Sequence, residues 1–144
     1  MDIELLSIDR SETVLVNERT LGYRGRFRWR KAEGTALLVP YSGREDDLVP
    51  GVRLSVETAQ RAVSAFEIVS RLRRAGLRES TRLGDFAVTG TVDLVVEDVD
   101  VIEIDVAGLH FSVDSEESGG VVPKAGDRVA FVLHGLSLWC TNVW

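Results

Sequence analysis

The sequence predicts a mainly β (α+β) fold, an antiparallel barrel or sandwich of about nine short strands with one helix near residues 58–75. Three observations carry this expectation. Apolar and polar side chains alternate with a period of two through most of the chain, the pattern of strands half buried in a sheet. Clusters of Gly, Pro, Asp and Ser interrupt the alternation at short intervals, where turns are expected. Only one stretch spaces its apolar residues by three and four.

Taken in order, Thr13–Asn17 is a short β-branched run. Tyr23–Lys31 alternates cleanly, with Tyr23, Gly25, Phe27 and Trp29 on one side and Arg24, Arg26, Arg28 and Arg30 on the other. Ala32–Gly34 reads as a turn before a strand over Thr35–Val39, which Pro40 ends because it lacks a ladder donor. Tyr41–Gly51 has the composition of a solvated loop, and Val52–Val56 resumes the alternation.

In Thr58–Ala75 the residues Ala59, Ala62, Val63, Phe66, Val69 and Leu72 fall on one helical face. Thr58 suits the N-cap, Arg71, Arg73 and Arg74 the last turn, and Gly76 a left-handed stop. The competing reading is a long strand through Val63–Leu72, which the β-branched residues permit and the irregular alternation disfavours.

Beyond a basic connector with Arg78 and Arg82, strands are expected over Phe86–Val96, Val99–Val106 with a bulge near Val101 and Ile102, and Leu109–Val113. Asp114–Gly120 reads as a mobile polar loop. Arg128–His134 and Leu136–Val143 are separated by Gly135, which marks a turn or sharp bend. The strand-strand-strand-helix-strand-strand order is similar to that of small oligonucleotide-binding barrels, with a larger strand count. No motif assigns the chain to a family.

At 144 residues the chain is read as one domain, 1–144, with two similar β subdomains over about 1–76 and 84–144 as the finer division. The finer division rests on a weak echo: Val49-Pro50-Gly51-Val52-Arg53 resembles Val122-Pro123 followed by Gly126-Asp127-Arg128, with the strands around Gly25 and Gly90 also alike.

No apolar run approaches the roughly 20 residues that cross a bilayer, and the amino terminus lacks the basic start and apolar core of a signal peptide. A single cysteine, Cys140, suits a reducing compartment. The expectation is a cytoplasmic protein without a membrane partner. The net charge of -6 is unevenly spread. Residues 1–84 carry 15 basic and 12 acidic side chains, against 2 and 11 in residues 85–144. Either the two halves attract each other, or one of them presents a polar surface to a partner.

Arg24, Arg26, Arg28 and Arg30 are the candidates for binding an anion or a partner, since guanidinium forks bind phosphate and carboxylate. Their aromatic neighbours fall on the opposite face, whereas a nucleic-acid surface would combine cations with stacking rings on one exposed face. Trp139 and Trp144 end a very apolar terminus and are the interface candidates.

Asp93, Glu97, Asp98, Asp100, Glu103 and Asp105 do not have calcium-loop spacing. His110, His134 and Cys140 have no paired metal-ligand spacing, and Cys140 reads as a small core hydrophobe. His134-Gly135-Leu136-Ser137-Leu138 is not a nucleophile elbow, and neither the phosphate-loop nor the dinucleotide fingerprint occurs. No metal, cofactor or catalytic residue is therefore assigned.

The leading functional expectation is a non-enzymatic protein-binding module, an accessory, inhibitory or assembly subunit with a protein partner or a second copy of itself. The alternative is an anion- or nucleic-acid-binding barrel using the arginine-lined strand. A third is an enzyme using His110 or His134.

Overall fold

The alternation in the sequence becomes a chain of eleven strands in the computed structural model, which describes residues 2–17, 20–40 and 44–143. They are β1 (Asp2–Asn17), β2 (Thr20–Trp29), β3 (Ala32–Val39), β4 (Arg53–Ala59), β5 (Ala62–Val69) and β6 (Gly76–Glu79), followed by β7 (Phe86–Val96), β8 (Val101–Val106), β9 (Leu109–Asp114), β10 (Arg128–His134) and β11 (Ser137–Val143). Single 3-10 turns lie at Glu45–Asp47 and Glu97–Val99. Among the described residues no helix is long and apolar enough to cross a membrane.

The strands form two units. One is a closed five-stranded barrel in the order β1-β2-β3-β11-β4, and the other is a sheet in the order β5-β10-β7-β8-β9 with β6 added to β7. Each unit takes one strand from the far part of the chain. β11 closes the barrel by running parallel to β3 and antiparallel to β4, while β5 leaves β4 to pair with β10.

A single ribbon results. Leu133 pairs with Val63 and His134 with Ala62 in the sheet, and Ser137 pairs with Ala59 and Leu138 with Thr58 in the barrel. The paired residue numbers add to the same total on both sides of the junction, so two long strands stay in register as they pass from one unit to the other.

The turn before each central strand is repeated. Gly51 N–H donates to Leu5 O at 2.7 Å and Leu5 N–H to Val52 O at 2.9 Å. Gly126 N–H donates to Val92 O and Val92 N–H to Asp127 O, both at 2.8 Å. Gly51 and Gly126 have φ values of 89° and 90°, which suit glycine in the third position of a tight turn. The Gly51/Gly126 echo therefore coincides with matching backbone geometry. Gly25 and Gly90 do not correspond in this way, since Gly25 lies in β2, whereas Gly90 lies in β7 and pairs with Val129 as Ile3 of β1 pairs with Leu54.

The helix expected near residues 58–75 is absent: this stretch is the end of β4, all of β5 and the connection to β6. Two irregularities imitated helical spacing. A break at Gln60 and Arg61 separates Ala59 from Ala62, and a bulge at Ala65 and Phe66 separates the buried Val63 and Phe66 by three. Thr58 caps nothing; its Oγ1 donates to His110 O at 2.6 Å. Leu72 is 96% exposed, and Gly76 has no left-handed φ.

Three smaller expectations also change. The β2–β3 turn is Arg30–Lys31, so Ala32–Gly34 belongs to β3 and Arg30 lies beyond the strand with φ 53°. The bulge expected in the strand at Val101 and Ile102 lies in its neighbour β7, between Val92 and Leu94. Asp114–Gly120 is a series of turns pinned by the buried Ser118, whose hydroxyl reaches Ser115 O and Val121 O.

The core is continuous between the two units. Phe27 of the barrel meets Phe86 of the sheet with ring centroids 6.0 Å apart, and Phe131 packs on both Phe66 and Phe111 within the sheet. Each buried aromatic or aliphatic side chain contributes roughly 1.5–3 kcal/mol relative to exposure. The Phe27–Phe86 contact joins the two units through that core.

Candidate functional site

The arginine-studded strand keeps its alternation: Tyr23, Phe27 and Trp29 are buried, and Arg24, Arg26 and Arg28 are exposed. Cross-strand register then decides which cations are satisfied. Arg28 lies between Glu4 of β1 and Glu33 of β3. Its Nη2 and Nε donate to Glu33 Oε1 at 2.8 and 3.1 Å, and its Nη1 to Glu4 Oε2 at 3.4 Å. Hydrogen bonding to Glu33, then its charge, raises the Arg28 pKa further. Arg26 is held by Glu79 at 3.7 Å and Glu33 at 3.9 Å. Arg30 lies over the Trp29 ring, 5.4 Å from its centroid.

Arg24 differs. Its cross-strand neighbour on β1 is Asp9, but Asp9 Oδ1 accepts the backbone N–H and hydroxyl of Ser11 at 2.9 and 2.6 Å. Those two bonds are the main reason the Asp9 pKa is lowered, with Arg24 a minor influence. Arg24 is left without a carboxylate within 4.0 Å among the described residues.

Arg24 instead lines a cleft of about 430 Å³ with Arg61 and Arg82, over apolar walls that include Val14, Leu37, Leu83 and Leu136. Arg61 sits at the break between β4 and β5, where its backbone N–H donates to His134 O at 2.9 Å. Arg82 stands in a turn closed by Ser80 N–H to Asp85 O at 2.8 Å and Asp85 N–H to Arg82 O at 3.1 Å. Neither has an ion-pair partner within 4.0 Å among the described residues.

Every arginine–carboxylate pair among the described residues joins two members of residues 1–84. The acidic second half makes no ion pair within 4.0 Å with the arginines of the first half among the described residues, although the charge of Arg82 reaches Asp85 across the same cleft.

Glu79 joins two residues that line the cleft, Thr35 and Gly84. Its Oε2 accepts Thr35 N–H at 2.6 Å and Gly84 N–H at 3.3 Å, tying the barrel to the loop that carries Arg82. Leu136 N–H donates to Gly84 O, and Leu37 N–H to Leu136 O.

Asp85 also lines the cleft, and it is buried and hydrogen-bonded to His134, Nδ1 to Oδ2 at 3.0 Å. The other Asp85 oxygen accepts Gly135 N–H at 3.1 Å. These interactions, the His134 bond foremost, lower the Asp85 pKa against the opposing effect of burial. On its other side His134 Nε2 is 2.7 Å from Ser64 Oγ.

The remaining candidates lie apart. His110 is exposed, 3.8 Å from Asp105 and 4.0 Å from Asp93. Cys140 is buried in the core, and desolvation pushes its thiol up to about 11. Trp139 is half-buried on the outward side of β11, its Nε1–H donating to Ser137 Oγ at 3.2 Å. Trp144 lies outside the described residues. Among the described residues no cluster of three or more His, Cys, Asp or Glu is arranged to hold a metal.

Arg61, Ser64 and Asp85 were not candidates from the sequence. Ser64, Asp85 and His134 are linked by bonds that span 70 and 49 residues, and no local spacing announces such contacts. Compared with protein-family models, curated proteins and solved structures, the chain matches none.

Proposed function

We propose that the chain is a protein-binding module that takes an acidic, apolar-flanked segment of a partner into the cleft between Arg24, Arg61 and Arg82. The observation that supports it is the difference among neighbouring arginines. Arg26 and Arg28 are met by Glu4, Glu33 and Glu79, whereas the three arginines lining one cleft have no carboxylate within 4.0 Å among the described residues. A partner carboxylate there makes charge-assisted, bidentate bonds, while Leu37, Leu83 and Leu136 receive apolar side chains.

The β1–β2 hairpin extends the same surface. Val14, Leu15 and Leu21 near its tip are exposed, as is Leu83 on the cleft wall. Exposed apolar residues beside a polar recognition feature are the composition of a protein contact surface.

Nucleic acid is less well served. No aromatic ring lines the cleft for base stacking among the described residues.

The test uses fluorescence anisotropy with two labelled probes, a peptide alternating glutamate and leucine and a single-stranded oligothymidine. The peptide is expected to bind, Arg61→Glu with Arg82→Glu to weaken it at least tenfold, and Arg28→Glu to leave it unchanged. Tighter binding of the oligothymidine, with a steep loss on adding salt, would replace this reading with the nucleic-acid one.

A further inference from the structure

We propose that Ser64 is an activated nucleophile, with His134 as its general base and Asp85 as the positioning residue, for acyl transfer from an activated carboxylic ester to water. It shares Asp85 with the lining of the arginine cleft, but the reacting atoms, Ser64 Oγ and His134 Nε2, are not among the cleft's lining residues, and the proposal does not need the binding reading.

The hydrogen-bond chain fixes the direction of proton movement. Asp85 is buried, its pKa is lowered, and as a carboxylate it only accepts: Gly135 N–H occupies Oδ1 and His134 Nδ1 occupies Oδ2. Nδ1 therefore carries the proton, and in the neutral ring Nε2 is a bare acceptor. Ser64 Oγ, 2.7 Å from Nε2, donates its hydroxyl proton there. Nucleophile, base and orienting carboxylate stand in the relation that activates serine on unrelated folds, where geometry and not sequence order is the criterion.

Ser64 is also accessible. It is exposed on β5, the terminal strand of its sheet, so the side of β5 away from β10 is not covered by a paired strand among the described residues. The next residue, Ala65, has φ 53° within the bulge. A non-glycine residue is strained there, and such strain concentrates at functional positions. The matching bulge at Thr141 of β11 has no residue with positive φ. The strain belongs to the strand that carries the serine.

The reaction balances without a metal or redox partner. Ser64 Oγ bonds to the ester carbonyl carbon as its proton passes to His134 Nε2. The carbon–oxygen bond to the leaving alcohol breaks, and that alcohol takes the proton from Nε2. Water then attacks the acyl-serine, giving its proton to Nε2. The acyl–Oγ bond breaks, the carboxylic acid leaves, and the proton returns to Ser64.

The test treats the intact chain with a fluorophosphonate probe and locates the adduct by peptide mass spectrometry, with p-nitrophenyl acetate hydrolysis as a second readout. The adduct is expected on Ser64, absent in Ser64→Ala, and formed roughly 10²–10⁴-fold more slowly in His134→Gln, the range a general base contributes. Unchanged melting temperatures show that the variants fold. Should His134→Gln unfold, Ser64→Cys serves instead: the introduced thiol is expected to react with iodoacetamide much faster than the buried Cys140, and faster than free cysteine at the same pH. No adduct on Ser64, equal labelling in a folded His134→Gln, or an introduced thiol no faster than free cysteine overturns the proposal.

Discussion

The Cβ position of Gly135 lies 3.0 Å from Arg61 Cβ, at the point where the two long strands pass between barrel and sheet. Gly135 also has φ 67°, which side-chain-bearing residues rarely adopt. This crossing sets Arg61 into the cleft and holds the backbone of Gly135 against Asp85.

Gly135→Ala should therefore destabilise the fold by about 1–3 kcal/mol, from left-handed strain and the close approach to Arg61 together. Urea unfolding checks this, and a change within about 0.5 kcal/mol, the scatter of ordinary surface substitutions, would contradict it.

Gly34 is required for space. A Cβ there would lie 2.4 Å from Phe86 Cζ, the ring that meets Phe27 between the two units. Gly34→Ala is expected to cost about 1–3 kcal/mol by overpacking, and Gly34→Ala with Phe86→Leu to cost less than the two single changes summed. Strict additivity in thermal or chemical unfolding would show that the two positions are not in conflict.

Glu79 carries more structural weight than the more exposed Glu33. It accepts two backbone N–H groups, Thr35 and Gly84, and meets Arg26 while mostly buried. Glu79→Ala leaves those donors without their acceptor and is expected to cost about 2–3 kcal/mol. Glu33→Ala removes exposed pairs and should cost under about 1 kcal/mol. Similar midpoints for the two variants in denaturant unfolding would contradict the assignment.

Acid should weaken the fold partly through Asp85. Its folded-state pKa is depressed, by His134 first and by Gly135 N–H and Arg82 in addition. The stabilisation is therefore present above the unfolded carboxyl value of about 3.9 and is lost as pH falls through the lower folded value. Asp85→Asn should be less stable than the natural chain at neutral pH, with the gap narrowing in acid. A gap independent of pH would mean that the Asp85 charge does not contribute.

Strand identity was legible wherever one face was buried without interruption. β2 follows its alternation from Tyr23 to Trp29, and β9 follows its own throughout. Legibility failed at residues 58–75, where the break at Gln60 and Arg61 and the bulge at Ala65 and Phe66 disturbed the period of two. Of the candidate cleft residues only Arg24 was singled out beforehand. Its availability depends on Asp9 turning to Ser11, and nothing in the spacing shows that choice.

The sequence by itself determined which faces of the regular strands are buried, because period-two burial is a local property of an extended backbone. It also determined the sharp bend at Gly135 and left four arginines near one strand. Only the tertiary structure decided that β5 and β11 go to opposite units, that Arg26 and Arg28 have carboxylates within 4.0 Å while Arg24, Arg61 and Arg82 have none among the described residues, and that Ser64, His134 and Asp85 meet. Those outcomes depend on pairings between residues tens of positions apart, which are set by the fit of the whole core.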